Sequence, residues 1–340
     1  QGVSSAASDV YKRQIGLLII AAGSFCQSSS YVPIKKVRDW SWESFWLVQG
    51  VFAWLVFPLS GAMLAVPSGH TLMEAYSENP TDALLAVLFG VLWGVGGLTF
   101  GLSMRYLGVA LGQSISLGTC AGLGTILTPL FMGKPGELTV PVIVGVVVTL
   151  IGIAIIGVAG SMRAKTSGET VKDFNFGKGI TVALIAGLMS ACFSIGLGFG
   201  SSLCFEDTPE IYRTLPATFL VTLGGFFTNA VYCLWQNGRN KTFGDYGKTS
   251  LYLNNILFCA LAGLLWYSQF FGLALGKGFL VNSATLLTFS WCILMSLNVT
   301  FSNVWGIILK EWQGTDVKTK TVLVSGLIVL IVSSFLPQII

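Results

Sequence analysis

The stretch LTVPVIVGVVVTLIGIAIIGVAGSM, residues 138–162, decides the fold, because it runs for 25 residues without a charged side chain. A hydrocarbon core takes roughly 20 apolar residues as a helix. Nine further stretches of similar length along the 340-residue chain also lack charged side chains. The ten stretches are Gln14–Ile34, Phe45–Val66, Ala83–Met104, Tyr106–Gly133, Leu138–Met162, Gly179–Phe205, Thr214–Gly238, Thr249–Gly276, Gly278–Leu309 and Thr321–Ile340. The sequence therefore predicts an all-α integral membrane protein with ten transmembrane helices.

The low charge content excludes several classes of protein. Soluble domains carry roughly 25% charged residues, whereas this chain carries 10%. Its seven cysteines form no CxxC pair, so neither a metal site nor a disulfide framework is indicated. The uncharged stretches hold no acid, base or metal-binding set, which argues against an enzyme. We expect no catalytic residues, no metal and no cofactor, and a lipid bilayer rather than a nucleic acid as the macromolecular environment.

Basic residues are distributed unevenly between the stretches. Fourteen of the 19 Lys and Arg residues lie in the odd-numbered loops, and only three lie in the even-numbered loops. Cytoplasmic loops of membrane proteins are enriched in these residues. The pattern predicts that the odd-numbered loops face the cytoplasm and that both termini are external.

Ten spans favour a duplication of five helices, and two copies with an odd number of helices are inverted relative to each other in the membrane. The clearest trace of the repeat is GVLW at 90–93 and GLLW at 263–266, in the third and eighth stretches. The predicted organisation has four parts. They are a disordered or foreign tail at 1–14, a first five-helix repeat at 15–162, a cytoplasmic linker at 163–178 and a second five-helix repeat at 179–340.

Neutral polar and aromatic side chains inside the uncharged stretches are candidates for a ligand site. Amides hydrogen-bond the hydroxyl groups of a sugar, and aromatic rings cover its C–H face. Inverted-repeat carriers bind substrate near the membrane midplane, between the two repeats. The predicted substrate-binding residues are Gln27, Tyr31, Trp93, Trp266, Tyr267 and Gln269. Hydrogen bonding between helices and simple packing are the competing interpretations of the same residues.

Four segments resemble the L-rhamnose–proton symporters of the drug/metabolite transporter superfamily. They are YVPIKKVRDWSWE at 31–43, FGVLWG at 89–94 with FGLSMRYLG at 100–108, GLLWYSQFF at 263–271 and LKEW at 309–312. The segments follow the order and the approximate spacing of the family. The resemblance implies a ten-helix inverted-repeat transporter in the bacterial inner membrane. It further implies import of a neutral sugar, L-rhamnose or a similar 6-deoxyhexose, by symport with protons.

Proton coupling requires a group whose charge changes during transport. The ninth stretch departs from the family pattern, because it contains neither a histidine nor an acidic residue. The remaining coupling candidates are Glu43 and Glu311, which lie in resembling segments at the ends of spans; a role as ordinary helix-end charges is the alternative. Two other functions stay open. One is a Na⁺-coupled sugar carrier, since amide and backbone oxygens bind Na⁺, and the other is a drug/metabolite-type exporter of the same superfamily.

Overall fold

The structure, a computed structural model, describes residues 2–340, and every regular element in that part of the chain is helical. Within residues 2–340, ten helices are long and apolar enough to cross a membrane, which confirms the predicted fold class. Their bounds are α1 Gly2–Ser29, α2 Trp42–Met63, α3 Pro80–Leu107, α4 Val109–Phe131, α5 Val140–Thr166, α6 Phe176–Leu197, α7 Leu215–Asn240, α8 Tyr252–Phe279, α9 Ala284–Ile308 and α10 Val317–Phe335. The protein is a multi-pass membrane protein.

Several helices begin where the sequence supplies a capping side chain. Ser41 accepts a hydrogen bond from the backbone amide of Ser44 at the start of α2. The side-chain oxygens of Asn175 and Asp316 accept the corresponding hydrogen bonds from backbone amides at the starts of α6 and α10, at N···O distances of 3.0 and 2.9 Å. Such caps satisfy backbone N–H groups that have no partner within the helix. They fix where each of these spans starts. At α2 the cap holds the first residues of the helix, which follow Ser41, in place.

The first helix corrects the expectation of a disordered tail. α1 begins at Gly2 and continues without a break through the segment 1–14, as far as the structure describes it. Residues 3–14 contain neither Gly nor Pro, so nothing in the sequence ends the helix there. Asn282 also donates a hydrogen bond to the carboxylate of Asp9, at 3.3 Å. The polar composition of this segment was therefore a poor guide to its structure.

The chain forms two compact units. The first, which we call the α2 unit, comprises residues 14–94 and 199–279; the second, the α4 unit, comprises residues 2–13, 95–198 and 280–340. Each unit combines helices from both halves of the sequence. The units are thus not the predicted repeats at 15–162 and 179–340, and the inverted repeat stays a prediction.

Glycines let helices of the α2 unit approach closely. A side chain at Gly90 of α3 would collide with the carbonyl of Val221 in α7, and one at Gly224 of α7 would collide with the carbonyl of Val87. α1 and α8 meet in the same way, with Gly272 close to Gly23. Small residues at helix crossings are the usual solution in lipid. These crossings bring α3 against α7 and α8 against α1.

In the α4 unit, polar groups at membrane depth are paired between helices. The hydroxyls of Thr128 in α4 and Ser194 in α6 lie 2.9 Å apart. Trp291 of α9 donates its indole N–H to the carbonyl of Cys120 in α4, at 3.2 Å. Hydrogen bonding between helices is therefore the structural role of these side chains.

Candidate functional site

Three tryptophans of the α2 unit contact one another, and we call them the tryptophan triad. The ring of Trp54 lies 6.1 Å from that of Trp93 and 6.0 Å from that of Trp266, edge-on to both at 87° and 86°. The rings of Trp93 and Trp266 lie 5.8 Å apart at 37°. Aromatic pairs attract one another at such separations. The triad joins α2, α3 and α8 at one place.

Glycines seat two rings of the triad. A side chain at Gly50 would collide with the ring of Trp54, and one at Gly225 would collide with the ring of Trp93. The two rings therefore lie directly against the backbones of α2 and α7. This arrangement leaves each ring little freedom to reorient without a movement of the helix beside it.

All six predicted substrate-binding residues lie in the α2 unit, and the structure brings Trp93 and Trp266 into direct contact. Carbon atoms in contact are about 3.5–4.0 Å apart, so a sugar ring held between two aromatic faces needs a separation of roughly 7–8 Å. The observed 5.8 Å is too short. In this conformation a sugar can reach the pair only from the side, or after the rings have moved apart.

The other four predicted residues are less closely associated. Gln269 and Tyr267 are 3% and 4% exposed, whereas Gln27 and Tyr31 are half-buried. The hydroxyl of Tyr267 lies against Gly61 of α2 and has no hydrogen-bond partner in the described residues. Gly61 follows Gly50 by eleven residues, which is about 16 Å along a helix. The hydroxyl of Tyr267 therefore contacts α2 about three helical turns beyond the glycine that seats Trp54.

Two polar side chains missed by the sequence analysis belong to this region. Gln49 and Trp54 are 2% and 3% exposed, and neither Gln49 Oε1 nor Trp54 Nε1 has a hydrogen-bond partner among residues 2–340. Trp54 lies within the segment Val51–Val56, which is a π-helix and begins two residues after Gln49; this rare geometry is frequent at functional sites. Residues five apart lie on different faces of an α-helix. A π-helical turn bonds residue i to i+5 rather than i+4, so it brings residues five apart closer to the same face than a regular α-helix does.

Glu43 begins a buried polar network at the start of α2. It is 6% exposed. Its Oε1 accepts hydrogen bonds from Thr242 Oγ1 at 2.7 Å and from Asn240 Nδ2 at 3.0 Å. Thr242 Oγ1 in turn accepts from Asn237 at 2.8 Å, which leaves the threonine proton for Glu43. The carboxylate is held by neutral donors.

Asp245, which the sequence analysis did not select, is the second buried acid of the same network. Its Oδ2 accepts from the backbone and the hydroxyl of Ser41, both at 2.8 Å, and from Ser44 Oγ at 2.9 Å. Lys248 Nζ donates to Oδ1 at 2.8 Å. Burial raises the pKa of Asp245, but the bonds from Lys248, Ser41 and Ser44 outweigh it and hold this pKa below its ordinary value. Asn237 donates to both Ser44 and Thr242, so the network connects Asp245 to Glu43.

Glu311, the other coupling candidate, has different surroundings in the α4 unit. Its side chain is 46% exposed and lies 3.6 Å from the guanidinium of Arg163. Arg163 also covers the ring of Trp312, at 4.9 Å. Glu311 is thus an exposed carboxylate with a cation beside it.

Comparison with known proteins finds matches over nearly the full length of the chain. The family model for the L-rhamnose-proton symport protein (RhaT) matches residues 11–338. Relatives named L-rhamnose-proton symporter occur in Mannheimia succiniciproducens, at 31% identity, and in Yersinia pestis, at 32% identity. Each alignment covers 94% of this chain and 96% of the relative. The chain belongs to the L-rhamnose–proton symport family. The resemblance of the four segments is confirmed, and the family is one of transporters rather than enzymes.

In this member of the symport family, α8 holds the segment 31–43 in place. Asn255 donates to the carbonyl of Arg38 at 2.8 Å and accepts from its amide at 3.0 Å. Asn254 donates to the carbonyl of Lys36 at 2.9 Å. Asn255 is fully buried. The chain that leads into α2 is therefore fixed, and with it the position of Glu43.

The side chains that could bind a substrate in this symport-family chain carry amide, hydroxyl and indole groups. Within residues 2–340, no group of three or more His, Cys, Asp or Glu side chains is placed to hold a metal ion. Hydroxyl groups donate and accept hydrogen bonds, which amide and indole groups can complement. The chemistry of the α2 unit suits an uncharged ligand rich in hydroxyl groups.

Proposed function

We propose that this protein is a secondary active transporter that imports L-rhamnose, or a similar 6-deoxyhexose, by symport with protons. The observation that carries the proposal is the match to the symport family over residues 11–338, with relatives of that name aligned over 96% of their length. The neutral polar groups of the α2 unit support an uncharged sugar as substrate. An uncharged sugar carries no charge that these neutral groups would have to neutralise.

The proposed substrate site contains Gln27, Tyr31, Trp93, Trp266, Tyr267 and Gln269. Its best-supported part is the contact between Trp93 and Trp266, since rings from both halves of the sequence meet there. Gln269 is three residues from Trp266 and buried on the same helix, and residues three apart share a helix face. Sugar binding then requires the rings of Trp93 and Trp266 to separate, which a carrier with alternating access can provide.

The proposed coupling group is Glu43 rather than Glu311. Glu43 is buried at 6% exposure and hydrogen-bonded by neutral side chains. Protonation changes the charge of an interior group, whose energy depends strongly on its surroundings. Glu311 is half-exposed beside Arg163, where solvent screens such a change. Glu43 also lies on α2, the helix that carries Trp54, so a change at Glu43 has a direct structural route to the triad.

Uptake of radiolabelled L-rhamnose into proteoliposomes tests the function, with gradients of pH and of Na⁺ imposed separately. We expect accumulation when the outside is acidic and none when only Na⁺ is supplied. Accumulation driven by Na⁺ alone would replace the proton by Na⁺ as the coupling ion. Transport of no sugar in either direction would favour the exporter of another metabolite.

The proposed location is the bacterial inner membrane, with both termini external and the loop 35–43 cytoplasmic. The excess of basic residues in the odd-numbered loops supports this orientation. Single cysteines at Lys36 and Ser77, introduced into a cysteine-free background, test it because both positions are exposed. An impermeant thiol reagent applied to intact cells should label Ser77→Cys but not Lys36→Cys. The reverse result would invert the topology.

A further inference from the structure

Gln49 and Trp54 are five residues apart on α2, and both lack the hydrogen bonds that buried polar groups need. The ring of Trp54 lies against Gly50, the residue after Gln49. Gln49 Oε1 is an acceptor and Trp54 Nε1 is a donor, and both are buried without a partner among the described residues. More than nine in ten buried polar groups in proteins are paired, so two unpaired atoms within five residues of one helix need an explanation.

A neighbouring pair shows that the fold can satisfy the same chemical groups. Trp46 lies on α2 with its ring 5.4 Å from that of Trp54. Its indole N–H donates to Asn229 Oδ1 at 2.9 Å, and Asn229 Nδ2 donates to the carbonyl of Gly225 at 2.8 Å. The indole N–H of Trp46 and the side-chain amide of Asn229 therefore both have hydrogen-bond partners. An equivalent solution is not used at Gln49 and Trp54.

We infer that Gln49 and Trp54 form the α2 wall of the sugar site, an inference that rests on the proposed function. Gln49 Oε1 accepts a hydrogen bond from one sugar hydroxyl, and Trp54 Nε1 donates a hydrogen bond to another. The rings of Trp93 and Trp266 lie 6.1 and 6.0 Å from the ring of Trp54. They supply the apolar surface for the C–H groups and the methyl group of a 6-deoxyhexose.

The π-helix at Val51–Val56 supports this assignment independently of the unpaired atoms. It adds one residue to a turn of α2 and changes the direction in which Trp54 points relative to Gln49. A regular α-helix would separate the two side chains further around its axis. This rare backbone geometry contains Trp54 and begins two residues after Gln49, and such geometry is frequent at functional sites.

The test compares variants that remove an unpaired atom with variants that remove a paired one. Gln49→Met and Trp54→Phe remove the unpaired groups, and Asn229→Leu and Trp46→Phe are the matched controls. Two quantities are measured on each purified protein: the apparent Tm without sugar, and the Kd for radiolabelled L-rhamnose.

Gln49→Met should raise the Kd about 2- to 13-fold, the range for one lost hydrogen bond, with a Tm at or above that of the wild type. Asn229→Leu should lower the Tm, because it leaves Trp46 without its acceptor, and should change the Kd less than about twofold. Both Phe variants lose ring area as well as the indole N–H. The informative comparison is therefore between the two variants, in Kd and in Tm. Trp54→Phe should raise the Kd more, and lower the Tm less, than Trp46→Phe.

Two outcomes contradict the inference in distinguishable ways. If the wild type binds and transports L-rhamnose while Gln49→Met keeps the wild-type Kd, then Gln49 is not a sugar ligand and the proposed function stands. If the wild type binds no L-rhamnose at all, the proposed substrate is wrong, and the assignment of Gln49 and Trp54 as its ligands is wrong with it. Binding of L-rhamnose by the wild type decides between these outcomes, and Gln49→Met tests the inference even if Trp54→Phe does not fold.

Discussion

The start and the middle of α2 treat buried polar groups in opposite ways. At the start, Glu43 accepts two hydrogen bonds and Ser44 both donates to Asp245 and accepts from Asn237. In the middle, Gln49 Oε1 and Trp54 Nε1 have no partner among residues 2–340. Both regions are buried, with Glu43 6% and Gln49 2% exposed. Burial alone does not explain the difference.

The difference is explained if the two regions have different tasks. A satisfied network fixes one arrangement of side chains, and here it ties the start of α2 to Asn237 and to the loop that carries Asp245. Unpaired groups reduce stability and gain their hydrogen bonds only when a ligand supplies them. The start of α2 is thus suited to controlling conformation and charge, and the middle to recognising the sugar.

The largest effect is expected from Glu43→Gln. Glutamine keeps an oxygen that can accept from Asn240 and Thr242, so the fold should be retained while the ionisable group is lost. Uphill uptake of L-rhamnose should be abolished, with the accumulation ratio falling to one, whereas exchange of internal for external sugar should continue. The measurement is proteoliposome uptake with and without an imposed pH gradient.

The matched variant for this experiment is the Glu43→Gln, Glu311→Gln double variant. If Glu43 is the coupling group, the double variant should behave as Glu43→Gln does. Full gradient-driven transport by the double variant would show that neither carboxylate couples transport to protons. It would also remove the proposed distinction between the two regions of α2.

The next largest effect is expected from Asp245→Asn, which disrupts the network at the start of α2. Asparagine presents an amide N–H₂ to one of the donors that now contact the carboxylate. Hydrogen bonds to a charged group are worth roughly 1.5–3 kcal/mol, so the free energy of unfolding should fall by about 2 kcal/mol. A denaturation series on purified protein measures this change. An unchanged stability would mean that the network does not hold α2 in place.

The same variant has a pH dependence with a defined sign. The pKa of Asp245 is lower in the folded protein than its ordinary value, so its ionised form contributes stability at neutral pH. That contribution is complete above the unfolded-state pKa of about 3.9 and is lost as the pH falls below it through the folded-state pKa. The stability difference between wild type and Asp245→Asn should therefore shrink in acid below about pH 4. A difference that grows in acid would contradict this reading.

The residues of this comparison show what the sequence could and could not predict. The ten spans were predictable, because bilayer thickness sets the length of a charge-free stretch. Trp93 and Trp266 were both selected as substrate-site residues from the sequence, but the contact between their rings became visible only in the structure. Asp245 was not, since its partner Ser41 lies 204 residues away and loop sequences do not encode such contacts. Gln49 and Trp54 were missed because a π-helix changes the helical period that sequence analysis assumes.

A moderate effect is expected when the α8 side of the site is changed. Gln269→Ala should remove one hydrogen bond to a sugar hydroxyl and raise the half-saturation concentration about 2- to 13-fold. Trp266→Leu should raise it as well, because leucine offers no aromatic face to the sugar. Both variants should reach the membrane in normal amounts. If both insert normally and transport with unchanged affinity, the α8 side does not contribute to the site, and the middle of α2 would have to recognise the sugar without it.

The smallest effect is expected from Glu311→Gln, which tests whether burial separates the two coupling candidates. The Glu311 side chain is 46% exposed, Arg163 lies 3.6 Å away, and Arg163 retains its contact with Trp312 when the carboxylate is replaced. Exposed ion pairs contribute about 0.2–1 kcal/mol. The free energy of unfolding should therefore change by less than about 1 kcal/mol, and proton-driven uptake should stay within about twofold of wild type. Denaturation and uptake on the same preparation measure both. Loss of uphill uptake with sugar exchange intact would assign the coupling role to Glu311, and burial would then have been the wrong criterion for choosing Glu43.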